Sequence, residues 1–97
     1  MNKYFVTSLC KNGLLGGGIT ISDTEVTYKT NKLTVPDAYR KIEMKYENIE
    51  FFTESKFLFL PIVNITLKNR KEYKFLLFSS NFSSLLREKG VIERKNF

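Results

Sequence analysis

Alternation of apolar and polar residues with a period of two runs through most of this chain and limits its fold more than any other feature. Residues 41–46 (KIEMKY) show it most clearly, because Ile42, Met44 and Tyr46 can face a core while the charged residues between them face solvent. Similar segments recur along the chain. We predict seven strands, at residues 3–11, 14–22, 25–30, 41–46, 48–53, 57–68 and 72–79.

One segment near the end of the chain has helical spacing instead. The residues on one helical face of SNFSSLLREKG are Phe82, Leu85, Leu86 and Lys89. This spacing predicts a helix over residues 81–89 that ends before Gly90. Ser80 or Asn81 can supply its N-cap. We expect the charged tail, residues 91–97, to fray.

The chain length and the order of these elements indicate one mainly β domain. A chain of 97 residues suits a single domain, here residues 1–97. Seven short antiparallel strands must close on themselves or stack to protect their edges, and a terminal helix can plug the open end of such a barrel. Asn12-Gly13 is typical of a two-residue hairpin loop between the first two strands.

The segment GLLGGGIT, residues 13–20, is close to the phosphate-binding pattern GxxxxGK[ST], but we reject a nucleotide site. Ile19 stands where that pattern needs a lysine, and the residues that follow have strand periodicity where a helix should begin. The pattern GxGxxG fails too, because its third glycine is missing. We therefore predict that Gly16, Gly17 and Gly18 lie at a bulge or bend, where a Cβ would clash with a neighbouring strand.

Composition argues against catalysis. The chain has no histidine, and its one cysteine, Cys10, lies in an apparent strand without a base to activate it. Acidic residues are dispersed among lysines and apolar positions. We expect no enzyme activity, no cofactor and no metal site. No signal peptide and no apolar run of about 20 residues is present in the sequence, so we expect a cytoplasmic protein.

The segment from Asn12 to Val91 resembles the GRAM-like members of the pleckstrin-homology (PH-like) superfamily, particularly small bacterial PH-like proteins. The similar parts are NGLLGGGITISDTEVTYKT, IEMKYENIEFF and VNITLKNRKEYKFLLFSSNFSSLL, in that order. The resemblance implies a PH-like split β-barrel of seven antiparallel strands with one C-terminal α-helix. It also implies a binding module for anionic lipid headgroups or protein segments.

Net charge of +6 makes an anionic membrane surface one possible partner. By the resemblance, the lipid- or anion-binding candidates near one end of the barrel are Lys11, Lys29, Lys32, Arg40 and Lys41. The first hairpin, CKNGLLGGG, offers only Lys11, whereas PH domains that bind phosphoinositides crowd basic residues there. The alternative interpretation is that these are ordinary charges on a solvent-facing surface.

A second candidate surface lies in FLFLPIVNITL. In one continuous strand, the residues of the inner face would be Phe57, Phe59, Val63, Ile65 and Leu67. Leu58, Leu60 and Ile62 would then point outward although they are apolar, which indicates a protein-interaction surface. Alternatively, the C-terminal helix or the loop around Leu33 and Val35 covers them. Pro61 should lie on an edge or in a bulge.

These observations favour a non-enzymatic binding or scaffolding module that mediates protein–protein association with an unidentified protein or with itself. The alternative function is weak electrostatic binding to anionic membrane lipids with phosphoinositide-like headgroups. Nucleic acid ranks below both, because strand aromatics such as Tyr28 and Phe75 fall on the core side, whereas a stacking platform needs them on the polar side.

Overall fold

A computed structural model describes residues 2–11, 13–79 and 81–94 of the chain. The strands are β1 (Lys3–Cys10), β2 (Leu14–Ile21), β3 (Glu25–Lys29), β4 (Lys41–Lys45), β5 (Ile49–Phe57), β6 (Leu60–Leu67) and β7 (Glu72–Leu77). One helix follows, α1 (Phe82–Glu88). Short 3₁₀ turns at Asp37–Tyr39 and Tyr46–Asn48 interrupt the connections before and after β4.

All seven strands belong to one antiparallel sheet in the order β4-β3-β2-β1-β7-β6-β5. β1 is central, because it pairs with β2 along its whole length and with β7 over Thr7–Leu9. Within the described part of the chain no ladder joins β4 to β5, so the sheet curls without closing into a barrel. The predicted mainly β fold of seven antiparallel strands and a C-terminal helix is confirmed.

The concave side of the sheet and α1 enclose the core. Phe82 and Leu86 of α1 are fully buried there, and the ring of Phe5 meets Phe82 edge-on at 5.4 Å between centroids. The largest fully buried side chains on the strands include Tyr28, Phe52, Phe75, Leu9, Ile19, Ile21, Met44, Ile65 and Leu77. The aromatic strand positions predicted to face the core, Tyr28 and Phe75, do so.

The end of α1 follows the prediction, and its start does so in position but without the expected side-chain cap. Gly90 has a φ of 82° and donates its N–H to Arg87 O at 3.0 Å, while Val91 donates to Leu86 O at 3.1 Å. These two bonds are the Schellman pattern that a left-handed glycine permits. At the other end Asn81 occupies the N-cap position, but its side chain makes no capping hydrogen bond. Ser80 lies outside the described residues.

The prediction that the tail frays is wrong for residues 91–94. Phe52 of β5 donates its N–H to Ile92 O, and Arg94 donates to Phe52 O, both at 2.9 Å. The Arg94 guanidinium also lies 4.0 Å from the centroid of the Phe51 ring. The free edge of β5 therefore satisfies backbone hydrogen-bonding groups of the tail. The charge pattern of the tail does not reveal this pairing. Residues 95–97 lie outside the described ones.

The prediction of one strand over residues 57–68 is also wrong. The chain reverses at Leu58-Phe59, so that Phe57 ends β5 and Leu60 begins β6. Phe57 and Phe59 are therefore exposed, whereas the other predicted inner positions, Val63, Ile65 and Leu67, are buried. The reversal escaped the sequence pattern because neither central residue is of the type that favours a turn.

Two smaller predictions on loops have a mixed outcome. Cys10 pairs with Leu14, so the β1–β2 loop has three residues where two were predicted. Gly13 has the expected positive φ. Asn12 lies outside the described residues. Pro61 is not on an edge strand, but it lies one residue before Ile62, the first residue of β6 in register with β7. Its missing N–H therefore falls where that ladder has not begun.

Candidate interaction surfaces

The three consecutive glycines lie inside β2, where side chains would collide with neighbouring strands. A Cβ on Gly17 would stand 2.6 Å from the carbonyl oxygen of Lys29, and a Cβ on Gly18 would overlap the ring of Tyr4. The predicted clash is confirmed, but the predicted bulge is not, because the β1–β2 register continues unbroken past them. These glycines are followed by the rest of β2 and then by β3, and not by a helix as in a phosphate-binding loop.

A groove of about 750 Å³ opens on the outer face of the sheet above these glycines. We call it the β2 groove. Its floor is Gly16–Gly18, its β1 side is the apolar wall of Tyr4, Val6 and Phe78, and its β3 side carries Lys29 and Lys32 among threonines. The glycines themselves carry no side chains, but the Tyr4 ring lies over Gly18 and the Lys32 ammonium lies over Gly16, so an apolar group and a cation meet above the floor.

Positive charge gathers beside the β2 groove. Lys29 of β3 lies directly opposite Lys41 of β4 in the register, and both are exposed. The Lys32 ammonium is 3.0 Å from the position that a Cβ of Gly16 would take. Like charges directly opposite each other destabilise an antiparallel pair. Among residues 2–11, 13–79 and 81–94, no carboxylate forms an ion pair with Lys29 or Lys41.

Arg40, another candidate, has a structural task. Its Nε donates to Val35 O and its Nη2 to Leu33 O, both at 2.9 Å, and its Nη1 lies 2.6 Å from Asp37 Oδ1. These contacts hold the β3–β4 connection. Its donors are therefore engaged within the chain and not aimed at the β2 groove.

Lys11 lies apart from the other basic candidates. Its Nζ is 5.7 Å from the centroid of the Tyr39 ring, beside a different depression that Lys71 also lines. Of the five predicted lipid- or anion-binding residues, the structure brings together Lys29, Lys32 and Lys41. The other two do not join them.

The β5–β6 hairpin carries a second surface, the hairpin patch, which consists of Phe57, Leu58, Phe59, Leu60 and Ile62. The side chains at its tip are widely exposed, with fractions of 58% for Phe57, 77% for Leu58 and 83% for Phe59. Leu60 and Ile62 are half-buried on the outer face of β6, where Ile62 lies opposite Leu76.

The residues proposed as a cover for the predicted surface lie elsewhere. α1 packs on the inner side through Phe82 and Leu86. Leu33 is itself 85% exposed, and the buried Val35 is held by Arg40. Leu58 is therefore an open apolar residue at the tip, and not part of a covered outer face.

The backbone at the tip is strained. Leu58 has a φ of 58°, at the first central position of a two-residue hairpin loop. That conformation costs an L-residue roughly 1–2 kcal/mol, and glycine, asparagine or aspartate normally takes it. Leucine is therefore an unfavourable residue at this position of the turn.

The β2–β3 turn shows how a turn of this sheet is secured by polar contacts. The Tyr46 hydroxyl donates to Ser22 O at 2.6 Å. Burial, together with the nearby carboxylates of Asp23 and Glu25, raises the pKa of Tyr46 to about 12. The Lys89 ammonium, 3.4 Å from Asp23 Oδ1, lowers the pKa of that carboxyl by hydrogen bonding.

Neither a metal centre nor a membrane-spanning helix is found among the described residues. They contain no group of three or more histidine, cysteine, aspartate or glutamate side chains arranged to hold a metal ion. The same residues include no helix long and apolar enough to cross a bilayer.

Part of the candidate site was missed by the sequence analysis although a signal was present. In β1 the outward positions Tyr4 and Val6 are apolar, as are the inward Phe5 and Leu9. The same loss of alternation in FLFLPIVNITL predicted the interaction surface at β6. In β1 it identifies the apolar wall of the β2 groove in the same way.

Comparisons with known proteins support the fold. No protein-family model and no curated protein matches this chain. Among solved structures, the chain is similar to the C-terminal domain of an unknown protein from Leishmania infantum, with a TM-score of 0.71 and 11% sequence identity over 90% of this chain and 81% of that one. A likeness at this identity concerns the arrangement of strands and helix only.

Proposed function

We propose that this chain is a non-enzymatic, PH-like binding module that associates with a second copy of itself through the hairpin patch. The observation that carries the proposal is the exposed Phe57-Leu58-Phe59 tip. The order of seven antiparallel strands and a C-terminal helix supports the PH-like part of it.

The tip has features that folding does not require. Three consecutive large apolar side chains at the end of a hairpin contribute little to the core, and Leu58 adds backbone strain. Strained residues that the fold does not need are concentrated at functional sites. Exposed apolar patches on small domains mark contact surfaces in the same way. The tip is therefore a surface that becomes covered when the protein binds.

A second copy suits this surface for two reasons. Lys56 is the only charged residue from Ser55 to Thr66, so the net charge of +6 lies mostly elsewhere and does not repel a partner at the patch itself. A two-fold contact also needs only one self-complementary surface. The patch has five residues, fewer than the roughly 20–30 per partner of a standard interface, so association should be weak and concentration-dependent.

Sedimentation velocity over a range of concentrations tests the proposal. The wild type should show a reversible monomer–dimer equilibrium. The double variant Leu58→Ser with Leu60→Ser should sediment as a monomer and melt close to the wild-type temperature, since Leu58 is exposed and Leu60 half-buried. Leu33→Ser, a change at an equally exposed leucine, should leave the equilibrium unchanged. A wild type that is monomeric throughout, or a double variant that simply unfolds, would refute it.

Electrostatic binding to anionic membrane lipids is less well supported. A headgroup site built from the five basic candidates would need Arg40 and Lys11 beside the others. Arg40 is engaged by Leu33, Val35 and Asp37, and Lys11 lies over Tyr39.

A further inference from the structure

We infer that the β2 groove binds an extended segment of another protein in which apolar and acidic residues alternate. This site is separate from the hairpin patch and would serve a second partner. The inference rests on the length of the groove along β2, the different chemistry of its two walls and the positive charge of Lys29, which pairs with no carboxylate among the described residues.

The shape of the groove suits an extended chain. The groove follows β2 from Gly16 to Thr20, four residue steps, or about 13 Å at the rise of a strand. Four or five residues of an extended segment cover that length. The Tyr4 ring covers Gly18 and the Lys32 ammonium covers Gly16, so the segment lies against these two side chains and not on the glycine backbone.

The two walls require two kinds of side chain. An extended segment lying along β2 points alternate side chains toward opposite sides. One set meets Tyr4, Val6 and Phe78, which call for apolar residues; the other meets Lys29 and Lys32, which call for carboxylates. The alternating pattern follows from this geometry.

The lysine pair explains why the partner should be acidic. Lys29 and Lys41 face each other across β3 and β4, and like charges in that arrangement weaken the sheet. A carboxylate bound beside them relieves the repulsion. An anionic bilayer also offers negative charge and is therefore assayed as a competing ligand.

Fluorescence anisotropy with a labelled synthetic peptide of alternating leucine and glutamate tests the inference. The wild-type protein should bind it saturably. Two control peptides should bind at least about tenfold more weakly: one with lysine in place of glutamate, and one with the same composition in two uniform blocks. No saturable binding of the alternating peptide, or equal binding of all three, overturns the inference.

Matched charge reversals locate the site. Lys29→Glu with Lys32→Glu should weaken peptide binding about tenfold or more, because both residues line the groove. Lys68→Glu with Lys71→Glu makes the same change in net charge at the exposed β6–β7 loop and should leave binding within about twofold. Equal losses in both doubles would indicate nonspecific attraction and overturn the assignment.

The apolar wall and the competing ligands complete the test. Phe78→Ser should weaken peptide binding, whereas Leu33→Ser, at an exposed leucine outside the groove, should not. Circular dichroism of each variant confirms that it is folded. Vesicles containing phosphatidylserine and a single-stranded oligonucleotide are assayed in parallel. If either binds through Lys29 and Lys32 while the peptide does not, the groove has a different ligand and the inference is wrong.

Discussion

The β1–β2 and β5–β6 hairpins both reverse the chain between antiparallel strands, but they place different residues at the positions of positive φ. The first uses glycine where geometry demands it: Gly13 has a φ of 120° in the loop, and Gly17 lies against the Lys29 carbonyl. The second has no glycine at all, and its positive φ falls on Leu58. The sequence of the first hairpin is therefore explained by the fold, whereas that of the second requires a reason outside it.

The largest effect is expected at Gly17. Gly17→Ala should lower the free energy of unfolding by about 3 kcal/mol, because the new Cβ would meet backbone atoms of Lys29 that cannot move aside. The atoms nearest to the new Cβ in Gly18→Ala belong to the exposed ring of Tyr4, which can change rotamer at roughly 1 kcal/mol or less. Urea denaturation of both variants measures the difference. Equal losses would mean that the glycines do not serve strand packing as described.

Gly13 should come next. Gly13→Ala places a Cβ on a residue with a φ of 120°, where space is open but the backbone conformation is strained. We expect a loss of about 1–2 kcal/mol in the same denaturation experiment. An unchanged midpoint would show that the β1–β2 loop adopts another conformation.

The β2–β3 turn, which a hydrogen bond from Tyr46 holds, offers a comparison with the strained tip. Tyr46→Phe should cost about 1 kcal/mol through loss of the bond to Ser22 O. The pKa of Tyr46 is raised to about 12, above its ordinary value near 10. The unfolded chain therefore ionises first as the pH rises, and stability is lost from about pH 10 toward pH 12.

Thermal melts across that pH range test the ionisation of Tyr46. The melting temperature of the wild type should fall more steeply above about pH 10 than that of Tyr46→Phe. All other ionisable groups, including the buried Tyr28, are the same in both proteins, so the difference between the two curves isolates Tyr46. Parallel curves would contradict the assigned role of its hydroxyl.

The smallest effect on stability is expected at the tip. Leu58→Gly relieves the positive φ but adds the conformational entropy of glycine to the unfolded state, and these terms nearly cancel. The free energy of unfolding should stay within about 0.5 kcal/mol of the wild type. A loss of 2 kcal/mol or so, the cost typical of removing a buried leucine, would show that Leu58 supports the core.

Because each element keeps the spacing of its own geometry, the periodicity of the chain predicted the number and order of the strands and the helix, but not the boundary between β5 and β6. Features that depend on distant neighbours were beyond it. The turn at Leu58-Phe59 uses residues that do not favour turns, and residues 92–94 become ordered by bonding to Phe52, forty positions earlier. The sequence does not distinguish Arg40 from Lys29, since both are basic residues near the β3–β4 connection. In the structure Arg40 donates to Val35 O within that connection, whereas Lys29 lies on β3 opposite Lys41.

Tryptophan fluorescence at the tip tests most directly whether the hairpin patch becomes covered on association. The chain has no tryptophan, so Phe59→Trp introduces a single reporter, and Leu33→Trp places the same reporter at an exposed residue outside the patch. As the protein concentration rises, the emission of Phe59→Trp should shift to shorter wavelength while that of Leu33→Trp stays constant. Emission from Phe59→Trp that remains typical of a water-exposed indole at every concentration would contradict the account.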